Sequence, residues 1–342
     1  MEKLPPGKPR DQDIWGTFKN NWFNQFLGGF GSLFGAITGT VNNDYIAQIP
    51  IIGNHEARLS ATEEAVRQSI LQGEAVAFES SGWWKPPRNL VYAELIGVAA
   101  GAGGAGGKWN VAPTGQRGGS GGGGGGEKHL DGITRLYAEF LPKTGDDYDW
   151  IRVDIYLAGP GGGNDSPGSS GGNIVFGANL TQPLVVFEGG FGAAVGDSIP
   201  AVSGNGGSGM IPGGRGGYGA QTPQSGSGGT NGSGSISPYS FAGGGGGGGG
   251  GACSNFNSAG TGGGGVATTG GAPGQSGVAP NRIIAAGGSG GGGARNASEP
   301  GGAGGFPGGG GGGGFGGATS SSNGGKGGEA KLWVIETKNE SA

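Results

Sequence analysis

Few residues in this chain have the type and spacing for chemistry. Asp146, Asp147 and Asp149 cluster in "DDYDW", a grouping that could suggest a glycosidase carboxylate pair or a calcium loop, but that an exposed turn between two strands explains better. Gly101-x-Gly103-x-x-Gly106 follows a strand-like run and reads like a dinucleotide fingerprint. That fingerprint needs a helix opening at its third glycine and aimed at a pyrophosphate, and "KWNVAPTGQRGGSGGGGGG" cannot form one. His55, His129 and Cys253 are too few and too scattered for a structural zinc site, a disulfide framework or a nucleophile elbow. The expectation is therefore a non-enzyme without cofactor or metal. What remains is recognition. Tyr218, Tyr239 and Phe256 lie in "GGRGGYGAQTPQ", "SISPYSFA" and "CSNFNSAG", where aromatic and amide groups would suit a flat polar ligand such as a cell-envelope glycan, or would cover a glycine core.

The elements that must hold such loops are unusual. Of 342 residues, 94 are glycine, and only 13% are charged, far fewer than in most disordered chains. With a net charge of -4 and no basic block, the footprint of a nucleic-acid binder is missing. "MEKLPPGKPRDQD" lacks the apolar run of a secretory signal, and no stretch of 18 apolar residues occurs. The chain is expected to be made in a reducing cytosol, with its Asn-x-Ser/Thr matches arising by chance.

Residues 1–88 have ordinary composition and predict an N-terminal helical region for attachment and oligomerisation. Trp15, Phe18, Trp22, Phe26, Phe30 and Phe34 recur at helical spacing. A second helix over "NHEARLSATEEAVRQSILQG" carries a narrow stripe including Leu59, Val66 and Ile70; so thin a stripe needs sister copies, and a homotrimer is expected. Residues 31–39, "GSLFGAITG", suit an anchor against another subunit, with membrane contact as the alternative.

Residues 89–342 read as a mainly-β domain with packed polyglycine-II helices. Strands are expected around Leu90 to Val98, Trp150 to Leu157, twice within "NIVFGANLTQPLVVFEGG", and at Glu329 to Thr337. This last strand lies beyond all the glycine runs, including Gly121 to Gly126, Gly243 to Gly251 and Gly308 to Gly314. A flexible linker would need no closing strand. In the left-handed three-residue-per-turn form, the nine-glycine run would span about 28 Å and would make no internal hydrogen bonds. Every buried amide must then find a neighbouring segment.

The succession "GVAAGAGGAGG", "LYAEFLPKTGDDYDWIRVDIYLAGPGGG", "GGNIVFGANL" and closing "GKGGEAKLWVIE" resembles the glycine-rich domain of minor tail proteins from phages of actinobacteria, over about Trp83 to Glu336. The matching positions are Leu141, Pro142, Val153, Ile155, Gly159, Gly161 to Gly163, Gly171, Gly172, Phe176, Gly177, Gly189 and Gly190, with Pro160 a departure. A more remote likeness, in composition, is to the polyglycine-sandwich adhesin at the tip of T-even tail fibres. The resemblance implies a virion tail-tip protein with other tail-tip proteins as partners and a role in host adsorption. A non-virion glycine-rich structural protein, a flexible linker protein and an ice-binding protein are the alternatives.

Overall fold

The computed structural model describes residues 75–112, 115–130, 135–194, 202–220, 229–235, 244–247, 250, 259–263, 269–280 and 287–339. Eleven strands run in the order β1 (Ala75–Phe78), β2 (Gly82–Trp84), β3 (Leu90–Val98), β4 (Glu127–Leu130), β5 (Leu136–Tyr137), β6 (Lys143–Thr144), β7 (Asp147–Tyr148), β8 (Ile151–Ile155), β9 (Ile174–Phe176), β10 (Val185–Phe187) and β11 (Lys331–Lys338). One sheet has the order β1-β11-β3-β4, with β5 also on β3; a second has the order β10-β9-β8-β2; β6 and β7 form a hairpin. All pairings are antiparallel.

The fold class expected from sequence, an N-terminal α-helical segment plus a mainly-β domain with polyglycine-II helices, is corrected. Among the described residues there is no α-helix, and the helical content is the 3-10 turn Ala138–Phe140 with one further 3-10 residue, Gly115. The reason is that the described body satisfies its backbone laterally, between strands and between glycine segments, so no ladder forms within a segment. The expected helices at residues 1–73 lie outside the described residues.

Alternation along β3 and β11 splits their side chains. Leu95, Leu332 and Val334 join Trp84, Ile151, Val153, Ile174, Phe176 and Phe187 in one core between the two sheets. Each large side chain buried there contributes roughly 1.5–3 kcal/mol. Gly97 makes room for Phe187, whose Cε1 would stand 2.6 Å from a Cβ. Ile96, Val98, Trp333 and Ile335 form a smaller cluster on the other face of the first sheet.

Beyond Val98 the chain of β3 continues as residues 99–107, the axis of a glycine-rich lattice. Its N–H groups point to three neighbours in rotation. Ala99, Ala102 and Ala105 donate to Gly126, Gly123 and Ser120; Ala100, Gly103 and Gly106 to Gly172, Ser169 and Ser166; Gly101, Gly104 and Gly107 to Gly328, Gly325 and Ser322, all at 2.9–3.1 Å. Its carbonyls accept from three more segments, through Gly159, Gly162 and Asp165, through Gly311 and Gly314, and through Gly190. Six segments thus surround one with a repeat of three residues.

Five of those neighbours connect directly to strands. Residues 120–126 lead into β4, 159–165 leave β8, 166–172 lead into β9, 188–190 leave β10 and 322–328 lead into β11. The lattice is the sandwich prolonged past the point where side chains fit. Pro160 sits in it without loss, because Gly159 and Gly162 carry the bonds to the axis while the proline is exposed. Where a backbone acceptor is lacking, side chains replace it: Ser233 Oγ accepts from Arg215 N, Thr230 Oγ1 from Tyr218 N, Asn173 Oδ1 from Gly189 N and Ser322 Oγ from Phe315 N.

A Cβ on Gly106 would overlap the carbonyl of Gly163, whereas a Cβ on Gly163 meets nothing within 4 Å. Gly106→Ala is therefore expected to lower Tm by at least about 8 °C, and Gly163→Ala to stay within about 2 °C of wild type, in thermal unfolding followed by circular dichroism.

Candidate functional site

Hydrogen-bond register gives the lattice two ends. Residue 99 adjoins the sandwich, and residue 107 lies about 25 Å further out for an extended segment. At that far level stand Gly118, paired with Ala220; Gly119, paired with Gly314 and Gly250; Asp165, paired with Gly107; and Gly313, paired with Ala294. The loops that reverse the chain there include 108–117, 164–166, 295–300 and 315–321.

The loop after the axis is built tightly from its own polar groups. Lys108 and Arg117 form an antiparallel bridge. Asn110 Oδ1 accepts from Ala112 N at 2.9 Å, Gly115 N donates to Ala112 O, and Gln116 Nε2 donates to Asn110 O at 2.9 Å. Asn110 N reaches across to Gly317 O at 3.1 Å, joining this loop to 315–321. Lys108 Nζ stands 3.6 Å from Asp165 Oδ2, in the turn where Asp165 adopts φ 53°. On this frame Trp109 is 51% exposed and Val111 79%. Asn296 Oδ1 caps Ser298 N and Glu299 N in the neighbouring loop, which presents Arg295 and Glu299 to solvent. Fixed loops with exposed aromatic, amide and mixed charged groups suit noncovalent binding of a polar surface.

Of the residues read as binding candidates, Tyr218 lies two positions before Ala220, near this end. Its ring is half-buried, 5.1 Å from the Arg215 guanidinium, and its backbone N–H is held by Thr230 Oγ1 at 2.7 Å. Tyr239 and Phe256 lie outside the described residues, as do Trp15, Phe18, Trp22, Phe26, Leu59, Val66, Ile70, residues 31–39, His55 and Cys253. Trp109 was not singled out from sequence. Its signal is local: a large aromatic placed two residues beyond the last glycine of "GAGGAGG" and followed by Asn-x-x-Pro.

The chemical motifs find structural employment. Gly101, Gly103 and Gly106 belong to the axis, and a Cβ on each would strike the backbone of Gly309, Pro160 or Gly163. In "DDYDW", Asp147 receives Arg88 Nε and Nη2 at 2.6 and 3.1 Å, pinning the β6–β7 hairpin to the segment before β3. Among the described residues, no group of three His, Cys, Asp or Glu could hold a metal ion, and no helix is long and apolar enough to cross a membrane.

No protein-family model matches the chain, and no curated protein matches it.

The hydrogen bond from Arg88 holds the Asp147 carboxyl below its ordinary range, and the guanidinium's charge adds to this. A depressed folded-state pKa gives a contribution that is present above the unfolded value, near about 3.9, and is lost as pH falls through the folded value. Both groups are solvent-exposed, so the effect is small and screened by salt. The Tm difference between wild type and Asp147→Asn is expected at pH 7 in low salt and should close in melts below about pH 3.

Proposed function

We propose that this chain is a structural protein of a phage tail tip that meets the host surface through the far-end loops of its glycine lattice. The observation that carries the reading is the polarity of the body. The sandwich, held by its apolar core, lies at one end, and the loops bearing Trp109, Arg295 and Glu299 sit at the opposite end of the lattice. A rigid spacer that holds exposed loops at one end suits adsorption, because the scaffold fixes loop spacing at no ordering cost upon contact. The sequence resemblance to minor tail proteins of actinobacterial phages supports the same role, with other tail-tip proteins, a homotrimeric arrangement and a host-envelope glycan as the proposed partners. The described glycine segments are tied to neighbours by backbone hydrogen bonds, which disfavours a flexible linker.

Purified virions encoding this chain should contain it, and gold-labelled antibodies should mark the tail tip. Trp109→Ala should leave Tm unchanged and slow adsorption to host cells by about tenfold or more, as loss of an exposed aromatic anchor does. Particles lacking the protein would overturn the proposal.

A further inference from the structure

The outer face of the second sheet carries a separate cluster that the far-end loops do not use. Inward residues of β8 are Ile151, Val153 and Ile155, so Trp150, Arg152, Asp154 and Tyr156 line the opposite face. Trp83 of β2 is directly opposite Arg152. Trp83, Trp150 and Tyr156 are 49%, 55% and 54% exposed, an unusual outlay of large rings on a solvent face.

The polar groups between these rings are fixed. The Arg152 guanidinium lies 5.3 Å from the centre of the Trp83 ring, and its Nε donates to Asp154 Oδ1 at 2.7 Å. Asn179 accepts from Arg152 N at 2.8 Å and donates to Trp150 O at 3.0 Å, anchoring the strand at the position where the row begins. From Trp150 to Tyr156 the row extends about 20 Å.

We infer that this face is a binding platform for a neutral carbohydrate chain. Two features select that occupant. First, Arg152 and Asp154 pair with each other within the row and Lys85 adds a single cation 5.8 Å from the Trp150 ring, far short of the basic cluster that an anionic polymer or lipid surface requires. Second, the order along the strand is ring, cation, anion, ring. A protein interface has the reverse anatomy, an apolar centre depleted of charge with a polar rim. A sugar chain has apolar ring faces to lie on indole and phenol, and hydroxyls to meet a guanidinium and a carboxylate held in plane beside them. The inference stands independently of the tail-tip reading, since it uses a different face and a different set of residues.

The test uses the full chain and a panel of neutral hexasaccharides: cello-, xylo-, manno-, malto- and N-acetylchito-oligosaccharides. Tryptophan fluorescence titration and saturation-transfer NMR should detect at least one at millimolar Kd or tighter. Trp150→Ala and Arg152→Lys should each weaken it by about tenfold with Tm unchanged, whereas Trp109→Ala should leave it intact. Absence of binding to every panel member at 10 mM, roughly the weak limit for a specific site, would overturn the proposal. So would undiminished binding in the Trp83→Ala/Trp150→Ala double variant, or a shift of that variant from oligomer to monomer in sedimentation, which would make the face a contact between copies.

Discussion

The whole structure depends on one steric condition: backbone must approach backbone from every side so that buried amides answer each other across segments. A side chain on most lattice positions would fill the space that a neighbouring carbonyl occupies, as at Gly103 against Pro160 or Gly313 against Gly119. Glycine is costly to order, at roughly 1–2 kcal/mol per residue, and each hydrogen bond returns only about 0.5–1.5 kcal/mol net. Such a material does not stand alone at that margin. The sandwich supplies the surplus, because its strands carry the apolar core and deliver the lattice segments already aligned.

That coupling explains why sheet and lattice are continuous. β3 and β11 are paired through eight positions, and the segments adjoining them, 99–107 and 322–328, keep the partnership past the last large side chain. Alanine enters the axis at positions 99, 100, 102 and 105, all fully buried, where neighbours leave room for a methyl group. Serine, threonine and asparagine take over at places where the ring of backbone acceptors is incomplete. The sparse polar composition of the described glycine segments is therefore structural, and the side chains read above as recognition groups lie in loops at the far end and on the outer face of the second sheet.

The strands were legible in the sequence because alternation survives around the glycine. Leu90 to Val98, the run before Leu157, both halves of "NIVFGANLTQPLVVFEGG" and the strand after the last glycine run coincide with β3, β8, β9, β10 and β11. β1 and β2 were not, since four and three residues give too little pattern to read, and their pairing with β11 and β8 is decided by tertiary packing. Which glycine segment faces which was illegible for a deeper reason: without side chains, register leaves no mark in composition. The two ends of the lattice, and with them the placement of Trp109 and Tyr218, follow only from the hydrogen bonds. The row Trp150, Arg152, Asp154, Tyr156 is plain in the sequence once the inward set of β8 is known.

The three-residue rotation of the axis has an evolutionary side. Codon repeats that encode glycine runs lengthen and shorten by slippage, one residue at a time, and each single step would turn every later amide by about 120° away from its partner. Changes in threes restore the pointing direction. A length change in threes keeps a tract's own amides aimed at their partners, whereas moving the outer loops relative to the sandwich requires the neighbouring segments to lengthen by the same full turn.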